Sequence, residues 1–276
     1  MTKSVLATTQ TGEIQLTITI PVVEVKKTYQ QVLTELTQAT QIAGFRKGKA
    51  PKKLVEEQTD KNKIYEQVIQ KIVPQVYLAT IKQHSLKPIL LPRVELLKVK
   101  EDEDWEIRAT TCETPKVDLG NYKEDIRKVF AKPKNDSQDS EDEKIQKTIQ
   151  TLLQSTATAL PEIMVEEELN RVLANLINQT EKLGVTIDQY LASINKTSDQ
   201  LRAEYRQRVE SDLRLQFILD AIAKGENIGA SEKEIDDLVT TTGDEELKRS
   251  LNSAPQRESL RGILTRRKTL DFLTKL

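Results

Sequence analysis

The sequence is short of most residues that build reactive centres. It has one cysteine, Cys112, and one histidine, His84. A single cysteine excludes an internal disulfide and a multi-cysteine metal site. A lone histidine without a cysteine or histidine cluster has no metal-ligand spacing. Aromatic residues are 4% of the 276, beside 9 glycines and 9 prolines; that scarcity argues against an all-β fold, which leans on aromatics and turn residues. Net charge is also nearly absent. The 42 basic side chains stand against 43 acidic ones, so no global field gathers a polyanion and any such binding must come from a local patch. No stretch approaches the roughly 20 apolar residues of a membrane span. Met1 to Ile20 alternates polar and apolar residues and lacks the continuous apolar core of a signal peptide. Neither a P-loop nor a G-x-G-x-x-G run occurs, so no cofactor is expected. The expectation is a cytoplasmic chain with no membrane partner.

What is present is amphipathic pattern, and its period changes along the chain. In Glu13 to Ile20, Ile14, Leu16, Ile18 and Ile20 alternate with polar residues, the mark of a half-buried strand. Ser4 to Thr9 precedes it across a Gln10-Thr11-Gly12 turn, giving a hairpin. From Val22 to about Gln41, Val25, Tyr29, Val32, Leu33 and Leu36 recur at helical spacing. A short helix is expected over Lys52 to Gln58 and a longer one over Asn62 to His84, with Pro74 kinking or dividing it. Strands follow near Val94 to Val99 and Trp105 to Cys112. Lys132 to Glu143 is acidic and bears no apolar side chain beyond Pro133, as in a mobile linker. From Lys144 onward everything reads as helix. Gly184 closes one helix, and Thr186 caps the next. Capping boxes at Thr197/Gln200 and Ser231/Glu234 open two more, and Pro255 starts the last.

The segment richest in chemistry is Gly44-Phe45-Arg46-Lys47-Gly48-Lys49-Ala50-Pro51, followed by Lys52 and Lys53: five cations in ten residues and no acid. Gly44 and Gly48 permit unusual dihedrals, and Pro51 can start the next helix. An aromatic flanked by Arg and Lys suits a docking site on an RNA–protein surface. The ring fills a pocket, the guanidinium makes forked hydrogen bonds to carboxylate or phosphate, and lysines add screened attraction. Spacing alone leaves open the plainer reading, a solvated loop whose Phe45 folds back onto the core.

Other residues attract less. His84 falls at a helix end, and Cys112 in a strand pattern reads as a small buried residue. Glu166-Glu167-Glu168 point in successive directions around a helix, which suits a solvated face rather than an acid–base pair. Arg257, Arg261, Arg266, Arg267 and Lys268 are interrupted by acids and read as ordinary surface charge.

The octapeptide Gly44 to Pro51 resembles the ribosome-docking signature of the trigger factor family, bacterial chaperones of the peptide exit tunnel. Its setting matches: hairpin, long helix, signature loop, further helices, then strands leading to Glu113-Thr114-Pro115-Lys116-Val117. Leu160-Pro161-Glu162-Ile163-Met164-Val165-Glu166-Glu167-Glu168-Leu169 is similar to the start of a family arm helix, and Arg266-Arg267-Lys268-Thr269-Leu270-Asp271-Phe272-Leu273 to its closing helix. The resemblance implies an α+β N-terminal ribosome-binding domain over residues 1–115, a connector over 116–143 with the acidic segment, and an all-α C-terminal chaperone domain with extended helical arms over 144–276. It assigns docking to Phe45, Arg46 and Lys47, loop shape to Gly44, Gly48 and Pro51, and added charge to Lys49. The implied partners are the ribosome (an exit-site ribosomal protein and nearby ribosomal RNA) and unfolded nascent polypeptides, with a homodimer off the ribosome.

Family members normally carry an FKBP-like prolyl-isomerase domain between these halves. Pro115 to Leu160 leaves only about 45 residues, under the usual lower size of a domain near 50. The expectation is therefore an ATP-independent holding chaperone, not an enzyme. Its rivals are a reduced peptidyl-prolyl isomerase, and a ribosome-associated assembly or regulatory factor that holds no client.

Overall fold

The alternation of Glu13–Ile20 becomes strand β2, in which Leu16, Ile18 and Ile20 are fully buried and Ile14 nearly so. The computed structural model describes residues 3–131, 140–241 and 245–276 and divides into two units, the first ending at Thr114. The first holds β1 (Lys3–Thr8), β2, α1 (Val22–Ala39), α2 (Lys52–Gln58), α3 (Lys61–Gln83), β3 (Arg93–Lys98) and β4 (Trp105–Cys112). Its sheet is antiparallel, in the order β1-β2-β4-β3. One face, carrying Leu16, Ile18, Trp105 and Ile107, packs on Val25, Val32 and Leu33 of α1 and Ile64, Val68 and Ile72 of α3. The polar residues between them leave the other face to solvent, as antiparallel sheets permit.

Pro74 does not divide its helix. α3 runs from Lys61 to Gln83 as one element with Pro74 inside it. Ile72, Val76 and Tyr77 are buried on both sides of the proline, so packing against the sheet holds the two halves through the missing backbone bond.

The second unit holds β5 (Val117–Asp118), α4 (Tyr122–Phe130), α5 (Glu141–Ser155), β6 (Ala157–Thr158), α6 (Glu162–Lys182), α7 (Ile187–Ser193), α8 (Ser198–Gly225), α9 (Glu232–Thr240), α10 (Glu245–Leu251) and α11 (Ala254–Leu273). Tyr122 and Ile126 of α4, Leu152 of α5, Ile218 and Ile222 of α8 and Leu273 of α11 share one core. Part of the stretch expected to connect the halves is therefore packed structure. Its acidic end, Ser140 with Glu143, is a capping box for α5, and residues 132–139 of the expected linker lie outside the described residues. The helical half also contains one small ribbon, with β5 antiparallel to β6.

Charge holds the second unit's helices together on their outer faces. Arg206 of α8 bonds Glu162 and Glu166 of α6, each at 2.6 Å, and Glu210 at 3.1 Å. Glu166 also takes Arg202, so the acidic triplet contributes a structural clamp. Arg257 of α11 reaches Glu232 at 2.7 Å and Asp236 at 2.8 Å on α9, and Lys268 reaches Glu234 at 2.9 Å. With Arg261 on Glu232 and Arg266 on Asp220 at 3.2 Å as well, most of the C-terminal basic stretch is neutralised within the fold. The capping boxes expected at Thr197/Gln200 and Ser231/Glu234 are both formed, and Thr186 makes another with Gln189.

Candidate functional site

Two small apolar anchors shape the basic loop. Helix α1 ends at Ala39, and the Thr40 N–H turns back to the Leu36 carbonyl. Ile42 and Ala50 are then both buried against Val55 of α2, in a cluster completed by Leu36 and Leu54. The chain leaves at Ile42 and returns at Ala50. Between them every residue is exposed except Gly48, which is half-buried.

Turns fold the projecting segment. Phe45 N–H donates to the Ile42 carbonyl at 3.0 Å, and Lys49 N–H to the Arg46 carbonyl at 2.9 Å. Gly44 and Gly48 take φ of +86° and +78°, values that a Cβ disfavours. Pro51 stands at the N-cap of α2, one position before the first helical residue where the sequence placed it.

The loop presents its chemistry outward. Phe45 is 40% exposed and stands outside the buried clusters, so the ring does not fold back onto the core. Arg46, Lys47 and Lys49 are exposed and make no hydrogen bond or ion pair with another described side chain. Their charge is therefore available to a partner. Lys52 is occupied, donating to Thr34 Oγ1 of α1 at 2.7 Å. One turn further along α2, Glu56 accepts from the Tyr29 hydroxyl. Burial first, then Glu56, raises the pKa of that hydroxyl well above the usual tyrosine range. The loop from Gly44 to Pro51 itself carries cations and one aromatic ring but no carboxylate, thiol, hydroxyl or imidazole. It can grip an apolar recess with Phe45 and acidic groups with Arg46 and Lys47.

The remaining reactive residue types serve structure. His84 meets Ser4 Oγ through Nε2 at 2.9 Å. Cys112 is fully buried, and burial pushes its thiol up to about 11. Among the described residues no group of three His, Cys, Asp or Glu side chains could hold a metal ion, and no helix is long and apolar enough to cross a membrane.

Two grooves in the second unit were not read from the sequence. One, of about 320 Å³, lies between α6 and α8, with Val172, Leu176, Tyr205, Val209 and Leu213 in its lining. The other, of about 380 Å³, lies between α8 and α11, where Leu215, Leu219, Ile263 and Leu270 meet Arg267. The apolar stripe of α6 held the signal. Val165 and Leu169 at its start are buried, whereas Val172 and Leu176 further on stay partly exposed.

The family pattern described as "Bacterial trigger factor protein (TF)" matches residues 1–152, and that described as "Bacterial trigger factor protein (TF) C-terminus" matches residues 118–275. Among individual proteins, the trigger factor of Caldicellulosiruptor bescii is 32% identical over 147 residues, covering 52% of this chain and 32% of that protein. The trigger factor of Staphylococcus aureus strain JH9 is 31% identical over 108 residues, covering 39% of this chain and 25% of its own length. The aligned part thus spans about a third or less of these relatives. A solved structure described as "Promiscuous Substrate Recognition in Folding and Assembly Activities of the Trigger Factor Chaperone" superposes with a TM-score of 0.70 at 14% identity, covering 99% of both chains.

Proposed function

Starting from a chain that belongs to the bacterial trigger factor family, we propose that it is an ATP-independent chaperone that docks at the ribosomal exit site and holds nascent polypeptides against misfolding and aggregation. The observation that carries this reading is the loop from Gly44 to Pro51. Its exposed Phe45, with Arg46, Lys47 and Lys49 that bond no other side chain among the described residues, stands on a base fixed by Ile42 and Ala50. Phe45 packs into an apolar recess of an exit-site ribosomal protein, Arg46 pairs with a carboxylate there, and Lys47 contacts nearby protein or ribosomal RNA.

Client holding belongs to the second unit. The α6/α8 and α8/α11 grooves offer apolar walls beside charged rims, suited to short apolar stretches of an unfolded chain held by several weak contacts. Release follows from the weakness of each contact, without nucleotide hydrolysis. The interval between the halves supports a reading without prolyl-isomerase catalysis, because its described elements β5, α4, α5 and β6 are bound up with the second unit's core and ribbon. The protein acts in the cytoplasm.

Ribosome co-sedimentation tests the docking half. The wild-type chain is compared with one carrying Phe45→Ala, Arg46→Ala and Lys47→Ala together. Loss of pelleting at unchanged helical content is the expected result, and equal pelleting of both chains removes the loop from the mechanism. The holding half is tested by aggregation of a denatured client. Ile263→Glu, at a side chain 55% exposed in the α8/α11 groove, raises the concentration needed for half-suppression several-fold while co-sedimentation stays intact. A protease-coupled peptidyl-prolyl assay is expected to stay at background, and turnover above it would return the isomerase reading.

A further inference from the structure

The acidic turn between β3 and β4, Glu101-Asp102-Glu103-Asp104, spends its charge on its neighbours. Glu101 meets Lys61 of α3 at 3.6 Å, Asp102 meets Lys26 of α1 at 2.6 Å, and Glu103 meets Lys98 at 2.6 Å. Asp104 accepts from the Val22 N–H, at the start of α1, at 2.8 Å. These bonds hold the turn against the first unit's helices, where it lines one side of a cavity of about 400 Å³. That size lies within the roughly 300–1,000 Å³ of small-molecule sites. No residue from Gly44 to Pro51 lines it.

The cavity's aromatic wall is fixed from behind. Trp105 is buried, Tyr65 packs on it with ring centroids 5.9 Å apart, and Tyr29 packs on Tyr65 at 5.4 Å with the planes 48° apart. The Tyr29 hydroxyl is held in turn by Glu56 Oε1. Burial first, and then the charges of Glu101 and Asp102, raise the pKa of the Tyr65 hydroxyl, so its ring is a neutral phenol in a negative surrounding. Val22 and Val25 add an apolar floor. Two lining groups keep bonding capacity. Among the described residues, Glu56 has no ion-pair partner and its Oε2 accepts no hydrogen bond, while the Lys100 ammonium makes neither a hydrogen bond nor an ion pair.

We propose that this cavity binds free arginine, or another small molecule that joins a guanidinium to a carboxylate. The guanidinium lies against the Tyr29 and Tyr65 rings and bonds Glu56, and the carboxylate meets Lys100. A tyrosine face attracts a cation. A guanidinium does so as a flat group that also forks onto a carboxylate, which a compact ammonium cannot match. The methylene stem between the two charges rests on Val22 and Val25. A metal ion is the wrong class of cation, since among the described residues no three His, Cys, Asp or Glu side chains are grouped to hold one. A neutral ligand would leave Glu56 and Lys100 unanswered. This site is separate from the basic loop and from the grooves of the second unit, and it stands or falls independently of them.

Isothermal titration calorimetry of the full chain with L-arginine tests the proposal. Two analogues accompany it: agmatine, which lacks the carboxylate, and citrulline, whose neutral urea replaces the guanidinium. The expected result is saturable one-to-one binding of arginine, with agmatine about tenfold weaker and citrulline without measurable binding. Glu56→Gln should weaken arginine about tenfold. Lys100→Ala, at an exposed side chain, should lower arginine to the affinity of agmatine and leave agmatine unchanged. That selective loss separates a missing ligand contact from a misfolded chain. Absence of arginine binding overturns the proposal, as does equal binding of citrulline. Binding insensitive to both substitutions also overturns it, because the site then lies elsewhere. Equal affinity for a capped peptide with one internal arginine overturns it as well, and would assign the cavity to a polypeptide side chain.

Discussion

The Tyr29 hydroxyl donates to the Glu56 carboxylate across 2.7 Å, tying α1 to α2 on either side of the projecting loop. Its ring also stacks at a tilt on Tyr65, with centroids 5.4 Å apart. Tyr29→Phe keeps the ring and deletes the tie. The expected cost is about 1 kcal/mol in a urea unfolding experiment. Ribosome affinity should fall about threefold although no loop residue has changed, since α2 would hold Ala50 and Pro51 less firmly. Unchanged affinity alongside the stability loss would mean that the loop is positioned by the Ile42, Ala50 and Val55 cluster alone.

Gly44 separates backbone strain from side-chain crowding. At φ +86° it needs a left-handed backbone, yet a Cβ there would meet nothing within 4 Å. Gly44→Ala should therefore destabilise the chain by about 1 kcal/mol through conformation alone, and Gly44→Asn by less. Thermal melts read the first effect. Co-sedimentation should show Gly44→Ala weakened and Gly44→Asn close to wild type. A fully competent Gly44→Ala chain would show that docking tolerates another loop shape.

Acid should loosen α9 from α11 in a defined window. The Glu234 carboxyl is held down to about 2, first by the Ser231 backbone N–H, then by Lys268 and the Ser231 hydroxyl. Its pKa is depressed in the folded state, so its stabilisation is fully present above the ordinary carboxylate value near 4.5. It is lost as pH falls from there through about 2. Glu234→Gln removes the Lys268 ion pair and should flatten the melting temperature of the chain over that range. Ser231→Ala, which breaks the cap, costs about 1 kcal/mol at neutral pH. If both variants keep the wild-type acid profile, other carboxylates govern it.

Cys112 should be silent in the native chain. Its burial and its thiol raised to about 11 leave almost no exposed thiolate at neutral pH. Thiol-specific reagents are expected to label it only after denaturant is added, at the rate of unfolding. Rapid labelling without denaturant would show that the end of β4 opens locally.

Most elements could be read from sequence because local chemistry declares them. Ile14 to Ile20 spell a half-buried strand without reference to the rest of the chain, and the Thr197/Gln200 and Ser231/Glu234 boxes need only their own turn. Some of the features that escaped depend on distant partners, and others are too short or too disguised by composition to declare themselves. Val117 and Thr158 pair in a ribbon of two residues a side, too short to carry a period. Ser140 and Glu143 form a capping box that acidic composition disguised as linker. Within the stretch that reads as helix throughout, Glu245–Leu251 was not set apart as an element of its own, because its seven residues span too little for a period to register. Ile42 and Ala50 meet only because Val55 folds between them, and a lone apolar residue beside a basic run gives no warning of that. The helix was not divided at Pro74 for a related reason: a breaker acts against the local backbone, and here packing on both sides of it keeps α3 one element. The basic loop itself was conspicuous as composition. That its ring faces outward depends on packing by Ile42 and Ala50, which composition does not encode.

Helices α4 and α5 both feed the core that contains Ile126 and Leu152, so Ala131 at the end of one and Ser140 at the start of the other are both fixed to a single packed body. The entropy of closing a flexible segment between two fixed points grows only with the logarithm of its length, roughly 0.6 kcal/mol for each doubling. The unit is consequently almost indifferent to how much sequence is carried there. An insertion at this point could be acquired or discarded in evolution, or grafted in the laboratory as a fluorophore or a second catalytic module, while the helices on either side kept their seats.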